Sequence, residues 1–128
     1  MIRKNNKIPL VTICIPTYNS SKTIKKTLKS ILNQTYKNYK IIIVDNASKD
    51  NTIKIINSFK NKKIKIYKFK KLVNAEENWN RCIKFANGKY TAIYHSDDIY
   101  NKDIISKQVC FLEKNLGCGA VFTEGLLI

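Results

Sequence analysis

The chain has 128 residues and 44% of them are hydrophobic, which suits one domain with a buried core. It carries 24 Lys plus Arg against 9 Asp plus Glu, a formal charge of +15. Only two of these cations are arginines, and the lysines are scattered along the chain. This pattern disfavours a nucleic-acid-binding surface, because such surfaces concentrate arginine and aromatic residues on one face. A solvated lysine surface is the simpler interpretation, and attraction to anionic substrates or a membrane is the alternative.

The predicted elements start with residues 10–15, an apolar, β-branched run that indicates a buried strand. Ser20 or Ser21 is predicted to cap a helix with an apolar stripe of Ile24, Leu28, Ile31 and Leu32. Residues 41–44 predict the second strand. Asp50 or Asn51 is predicted to cap a second helix, with Ile53, Ile56 and Phe59 facing inward.

The alternation continues to the end of the chain. Residues 64–69 alternate apolar residues with lysine and predict a strand near an edge of the sheet. The next helix is predicted to end at Gly88 and to bury one face, made of Trp79, Cys82, Ile83 and Ala86. Residues 90–94 predict the fourth strand and 102–115 a helix with the stripe Ile105, Val109, Leu112 and Leu116. Residues 120–123 predict a fifth strand.

This order predicts an α/β fold with a mainly parallel, doubly wound sheet and helices on both faces. Residues 1–8 form a basic extension without the apolar stretch of a signal peptide, and no run approaches membrane-spanning length. The cysteines, which lack metal-site spacing, are interpreted as reduced: Cys14, Cys82, Cys110 and Cys118. We therefore expect a cytoplasmic protein, with a place at the inner face of the membrane as an option. Since little chain follows the fifth strand, we expect a truncated domain.

Polar residues follow three of the predicted strands and meet at one sheet edge if the strands are parallel. They are Pro16, Thr17, Tyr18 and Asn19 after the first strand, Asp45 to Ser48 after the second, and His95 to Asp98 after the fourth. Asp97 and Asp98 are adjacent carboxylates in a chain with few acids, and such oxygen ligands suit Mg²⁺ or Mn²⁺ bound to a phosphate-bearing substrate.

The order and spacing of these motifs resemble the family 2 glycosyltransferases of the GT-A fold. The matching stretches are residues 11–19, 31–36, 43–48, 78–81, 88–90 and 96–98. The resemblance implies that the whole chain, residues 1–128, is the donor part of a Rossmann-like GT-A domain. It implies transfer of a sugar from a nucleoside-diphosphate sugar to a glycan, lipid or protein acceptor, with inversion and with help from Mn²⁺ or Mg²⁺.

The same resemblance implies roles for individual residues. Pro16, Thr17, Tyr18 and Asn19 would hold the base and ribose, and Asp45 and Asn46 would read the base edge. Asp97 would contact the ribose and the metal ion, and Asp98 would contact the ion directly. The general base is expected beyond Ile128, with Glu124 as the reserve candidate. Many family members carry Asp where this chain has Asn46 and His95, which leaves the base open and predicts a modest affinity for metal.

Other interpretations stay open for several residues. Asp97 and Asp98 could cap the following helix, Tyr18 could be a packed loop aromatic, and His95 could be structural. Trp79 is predicted to pack in the core and Asn80 to tie its helix to a loop. Asn74 is predicted to cap a helix and is a weaker candidate for contact with the diphosphate.

Two rival functions also remain. A receiver-type Mg²⁺-binding signalling domain has a similar length, but it should carry acids after the first strand, where this chain has residues 16–19. A non-catalytic nucleotide-sugar-binding fragment without an acceptor site fits the sequence better.

Overall fold

A computed structural model describes residues 7–127, so the predicted N-terminal extension lies almost entirely outside the described residues. The four strands in it form one parallel sheet in the order β3-β2-β1-β4. They are β1 (Val11–Thr17), β2 (Tyr39–Asn46), β3 (Ile64–Phe69) and β4 (Tyr90–Ile93). The edge position predicted for residues 64–69 is confirmed. All residues of β1 are buried, as expected for a central strand covered on both faces.

Four helices cover the two faces: α1 (Ile24–Leu32), α2 (Thr52–Ser58), α3 (Ala75–Lys84) and α4 (Ile104–Lys114). Successive strand residues point to opposite faces, so β1 contributes to two cores. Ile13 and Ile15 belong to the larger core, which α1, α2 and α4 complete. Cys14 belongs to the smaller core with Cys82 of α3. The predicted α/β architecture with helices on both faces is therefore confirmed. No described helix has both the length and the apolar character needed to cross a bilayer.

Several helix details differ from the predictions. The N-cap of α1 is Thr23, not Ser20 or Ser21, and its side chain makes no capping hydrogen bond. The predicted inward positions Ile83 and Leu116 are exposed, because α3 presents a narrower buried face and α4 ends at Lys114. At α2 the prediction is confirmed, since Asn51 is the N-cap and the Asp50 carboxylate accepts from the Thr52 backbone N–H at 2.9 Å.

Gly88 does not end a helix, because α3 has already ended at Lys84. It passes against the start of β1, where a Cβ atom would lie 2.6 Å from the Leu10 carbonyl oxygen and 2.8 Å from the Thr12 nitrogen. Backbone proximity, and not helix termination, is the reason for glycine at this position.

The predicted fifth strand is not present among the described residues, where 120–127 form no regular structure. A strand needs a hydrogen-bonding partner. Residues 119–123 instead line a groove of about 710 Å³, across from β4 and α4, and Phe122 is 90% exposed. The β-branched and aromatic character of this segment was therefore not sufficient for pairing.

Candidate active site

The candidate site lies at the carboxyl edge of the sheet, at the point where the order in which strands are added changes direction. From β1 the chain runs outward through β2 and β3, and then returns to place β4 on the other side of β1. Open α/β sheets bind ligands at such a switch point. Register pairs Thr17 with Asp45, so the ends of β1 and β2 are adjacent at this edge. The structure thus brings the predicted strand-end residues together.

The loop after β1 is interlocked with the loop after β2. Asn19 adopts a left-handed conformation (φ 45°), and its backbone N–H donates to the Ser48 hydroxyl at 2.9 Å. The Asn19 side-chain oxygen accepts from the Lys49 backbone N–H at 2.8 Å. These contacts fix the loop that carries Tyr18, which is 46% exposed and available to a ligand. Pro16 and Thr17 are buried, so their side chains pack in the interior of the protein, underneath this loop.

Asp50 strengthens the same interlock. Its carboxylate accepts from the Ser21 backbone N–H at 3.0 Å and from the Thr52 backbone and hydroxyl. Desolvation of the carboxyl acts in the opposite direction, but the hydrogen bonds from Thr52 and Ser21 prevail and hold the pKa of Asp50 below its ordinary value of 3.8. Asp50 therefore stays ionised at neutral pH.

Asp45, at the end of β2, is 3% exposed, and its two carboxylate oxygens differ in their hydrogen bonding. Oδ2 accepts from the Ser48 backbone N–H at 3.0 Å. Oδ1 is buried, and no group among residues 7–127 donates a hydrogen bond to it. Buried polar atoms in native proteins nearly always have a partner, and an unpaired one is costly. Oδ1 is therefore an acceptor that the described part of the chain leaves unused.

The neighbouring Asn46 uses its amide differently. Its Nδ2 donates to the Val73 carbonyl at 2.8 Å, and its Oδ1 accepts from the Val73 backbone N–H at 3.0 Å. Arg81 approaches the same Oδ1 at 3.4 Å, and its guanidinium lies 4.1 Å from the centre of the Phe69 ring. Asn46 thus anchors the loop before α3. The predicted cap of α3 is confirmed, since Asn74 accepts from the Glu77 backbone N–H at 2.8 Å.

Asp97 and Asp98 lie in the loop between β4 and α4, and both are exposed. The Tyr100 hydroxyl lies 3.5 Å from Asp98 Oδ2 and accepts from the His95 backbone N–H at 2.7 Å. Burial raises the pKa of Tyr100, so this hydroxyl keeps its proton. The N-cap of α4 is Asp103, so Asp97 and Asp98 do not cap that helix.

The donor set of this loop suits a hard divalent ion. Within residues 7–127 no group of three or more His, Cys, Asp or Glu side chains could enclose a metal by itself. Mg²⁺ is usually held by one or two carboxylates and takes its other ligands from substrate phosphates and water. Two exposed carboxylates beside an open switch point fit that description.

A tryptophan of α3 borders this loop. Trp79 is 39% exposed, and its ring makes an edge contact with His95 at a centroid distance of 5.4 Å. The prediction that Trp79 packs in the core is therefore wrong, because its ring is partly exposed and lies beside the loop after β4. Asn80 is exposed.

Sequence reasoning placed Ser96 in the polar cluster after the fourth strand, but it missed the contact between Ser96 and Ser20. Their hydroxyls lie 2.8 Å apart, and Ser20 Oγ also accepts from the Thr17 hydroxyl at 3.0 Å. Ser20 was interpreted as a helix cap, whereas it joins the loops after β1 and β4. Nothing in the sequence signalled this contact, because the two serines are 76 positions apart.

The amino-acid sequence of the chain is similar to those of known glycosyltransferases. The sequence model described as Glycosyl transferase family 2 matches residues 12–124. The chain is 42% identical over 104 residues to Escherichia coli WfaP, named a UDP-Glc:alpha-D-GlcNAc-diphosphoundecaprenol beta-1,3-glucosyltransferase, and covers 41% of it. That match includes 81% of this chain. It is also 33% identical to Bacillus subtilis EpsE, a putative glycosyltransferase, with 96% of this chain and 45% of that protein covered. The chain thus spans less than half the length of these curated relatives.

Solved structures give the same picture of the fold. S. aureus TarS in complex with UDP superposes with a TM-score of 0.78 and 26% identity, over 83% of this chain and 32% of that one. The mannosyltransferase PcManGT from Pyrobaculum calidifontis, in complex with GDP-Man and Mn²⁺, has a TM-score of 0.76 and 23% identity over 84% of this chain and 33% of that one. Both neighbours are GT-A transferases, so the predicted GT-A fold is confirmed.

Proposed function

This chain belongs to glycosyl transferase family 2, and on that premise we propose that it binds a uridine-diphosphate sugar and takes part in transferring the sugar to an acceptor. The observation that carries the proposal is Asp45 Oδ1 at the switch point of the sheet, a buried acceptor with no hydrogen-bond donor among the described residues. The UDP named for TarS and the UDP-Glc named for WfaP support the same donor class.

Asp45 is suited to a base that presents a ring N–H. Uracil carries such a donor at N3, whereas the N3 atom of cytosine accepts hydrogen bonds. A carboxylate oxygen can accept from the uracil N3–H, whereas cytosine offers only an acceptor at the same ring position. Guanine also carries a ring N–H, so this contact favours uracil over cytosine, and the donors named for TarS and WfaP support the choice of uridine. We assign the base contact at the end of β2 to Asp45, because the Asn46 amide is engaged with Val73. Tyr18, exposed on a fixed loop, is the surface on which the base would stack.

We propose that Asp97 and Asp98 hold Mn²⁺ or Mg²⁺ together with the diphosphate, with Asp98 as the direct ligand. When bound, the ion would neutralise the charge that develops on the leaving diphosphate. Lysine is abundant in this chain, with a formal charge of +15 overall, and adds a general attraction for the anionic donor.

We also propose that transfer inverts the anomeric centre by a single displacement. The β-1,3 linkage in the name of WfaP is the inverted outcome when the donor sugar is α-linked, as in UDP-glucose. Single displacement requires a base that takes the proton of the acceptor hydroxyl. We place that base in a part of the protein that corresponds to the remaining length of the relatives, with Glu124 of this chain as the reserve candidate.

For the acceptor, we propose a lipid-linked glycan, since the name of WfaP specifies a sugar on diphosphoundecaprenol. Such an acceptor would bring the protein to the surface of a membrane. The positive charge of the chain suits the anionic inner leaflet.

Isothermal titration calorimetry with UDP, GDP and CDP, in Mn²⁺ and in EDTA, tests the proposal. We expect the tightest binding for UDP with Mn²⁺, weaker binding of UDP in EDTA and the weakest binding for CDP. Equal affinities for UDP and CDP would contradict the role of Asp45. Affinity for UDP that does not change on chelation would contradict the metal site.

A further inference from the structure

The residues that support the aspartate loop come from α1, which lies far from that loop in sequence. We define the aspartate loop as residues 94–103, between β4 and α4. Along α1 and its flanks, four polar residues face this loop at spacings of four, three and four positions: Thr23, Thr27, Ser30 and Gln34. Residues with this spacing share one face of a helix. We call them the α1 polar seam.

The seam holds the backbone immediately before the two aspartates. The hydroxyls of Thr23 and Thr27 both donate to the Ser96 carbonyl oxygen, each at 3.0 Å. This carbonyl belongs to the peptide bond that joins Ser96 to Asp97. Thr27 is completely buried, so its hydrogen bond is protected from water.

The seam also holds the backbone after the aspartates. The Tyr100 backbone N–H donates to the Ser30 hydroxyl at 3.0 Å, and Gln34 Nε2 donates to the Asn101 carbonyl at 2.7 Å. Gln34 is fully buried, and its Oε1 accepts from the Ile105 backbone N–H at 3.3 Å. The carboxylates of Asp97 and Asp98 therefore project from a short exposed segment that is fixed at both ends.

We propose that the α1 polar seam, with Thr27 at its centre, consists of positioning residues that hold Asp97 and Asp98 in the geometry that binds the divalent ion. This inference rests on the proposed function. A loop without regular structure would otherwise sample many carboxylate arrangements, and ordering it on binding would reduce the affinity for metal. Partners that orient metal ligands typically change metal affinity by about 10- to 100-fold when they are removed.

The test compares Thr27→Val with Thr27→Ser and with a matched control, Thr12→Val. Valine keeps the shape of threonine without the hydroxyl, and serine restores the hydroxyl. Thr12 is also fully buried, and its hydroxyl accepts from the Gly88 backbone N–H at 2.9 Å, at the opposite end of the sheet. The control therefore reports the loss of a buried hydroxyl that does not hold the aspartate loop.

The first readout needs no ligand. In ¹H–¹⁵N spectra of each protein without added nucleotide or metal, we expect the amides of Asp97, Asp98 and Ile99 to shift or broaden in Thr27→Val. They should keep wild-type positions in Thr27→Ser and Thr12→Val. Unchanged amides in Thr27→Val, or equal changes in Thr12→Val, would overturn the proposal even if wild-type protein binds nucleotide as expected.

The second readout is the affinity for Mn²⁺ at saturating UDP, measured by electron paramagnetic resonance of the free ion. We expect Thr27→Val to weaken Mn²⁺ binding about 10-fold, since Thr23 still holds the Ser96 carbonyl, with the affinity for UDP in EDTA unchanged. Thr27→Ser and Thr12→Val should stay within about 2-fold of wild type. Wild-type Mn²⁺ affinity in Thr27→Val would overturn the positioning role, whereas failure of wild-type protein to bind UDP would overturn the proposed function instead.

Discussion

Replacing Asp45 by asparagine should reverse the preference of the protein among pyrimidine nucleotides. The substitution keeps the shape of the side chain and exchanges one carboxylate oxygen for an amide NH₂. The Ser48 backbone N–H, which donates to Oδ2 at 3.0 Å, will retain the remaining oxygen as its acceptor. The NH₂ group then occupies the position of Oδ1, the buried oxygen to which no described residue donates.

The expected magnitude follows from that exchange. In wild-type protein the uracil N3–H meets a charged acceptor, and a hydrogen bond of this kind contributes about 1.5–3 kcal/mol. In the variant a donor faces a donor, so UDP binding should weaken by roughly 10- to 150-fold. CDP presents an acceptor at the same ring position and should bind more tightly than it binds to wild type.

Calorimetry with UDP and CDP in Mn²⁺ measures both constants. Asp50→Asn is the matched control, because Asp50 also accepts backbone hydrogen bonds in the neighbouring loop but is not proposed to contact the base. The control should lose thermal stability and keep the wild-type ratio of UDP to CDP affinity. If Asp45→Asn also keeps that ratio while its circular dichroism is native, Asp45 does not read the base.

Three further substitutions have distinct expected outcomes. Asp98→Asn should remove most of the difference between UDP affinity in Mn²⁺ and in EDTA, and calorimetry that still finds the wild-type difference would assign the ion elsewhere. Tyr18→Ala should weaken binding of UDP and CDP alike by about 1–3 kcal/mol, since stacking is tolerant of base identity, and an unchanged Kd would place the base away from this loop. Gly88→Ala should lower the free energy of unfolding by about 1–3 kcal/mol in urea titrations, because its Cβ would lie 2.6 Å from the Leu10 carbonyl oxygen. UDP affinity in that variant should remain at the wild-type level, since Gly88 lies at the amino end of the sheet.

Two parts of the chain show the limits of predicting structure from a local sequence pattern. Residues 120–123 have strand-like composition, yet they form no strand among the described residues. Trp79 follows an apolar helical stripe, yet it lies beside His95 at the site. Hydrophobic periodicity indicates which side chains tend to be buried. Whether a segment finds a strand to pair with, and how deeply a side chain is buried, depends on which other parts of the chain lie next to it.

From the sequence alone we could predict the order of strands and helices, the parallel sheet and the edge at which the polar residues meet. Short β-branched runs such as residues 41–44 can be stable only when both faces are covered, and alternation with helices requires parallel crossovers. The family resemblance followed from motifs at the strand ends, because those positions share one edge in any such sheet.

The hydrogen-bond partners of individual polar groups could not be predicted and became evident in the folded protein. There, Asn46 pairs with the backbone of Val73, one oxygen of Asp45 has no partner among the described residues, and Thr27 is aligned with the Ser96 carbonyl. Each of these facts depends on atoms that lie 27 or more positions apart, or on the lack of a partner within the part of the chain that the structure describes. Hydrogen bonds are directional and short, so their partners are fixed by the packing of whole elements and not by the spacing of residues along the chain.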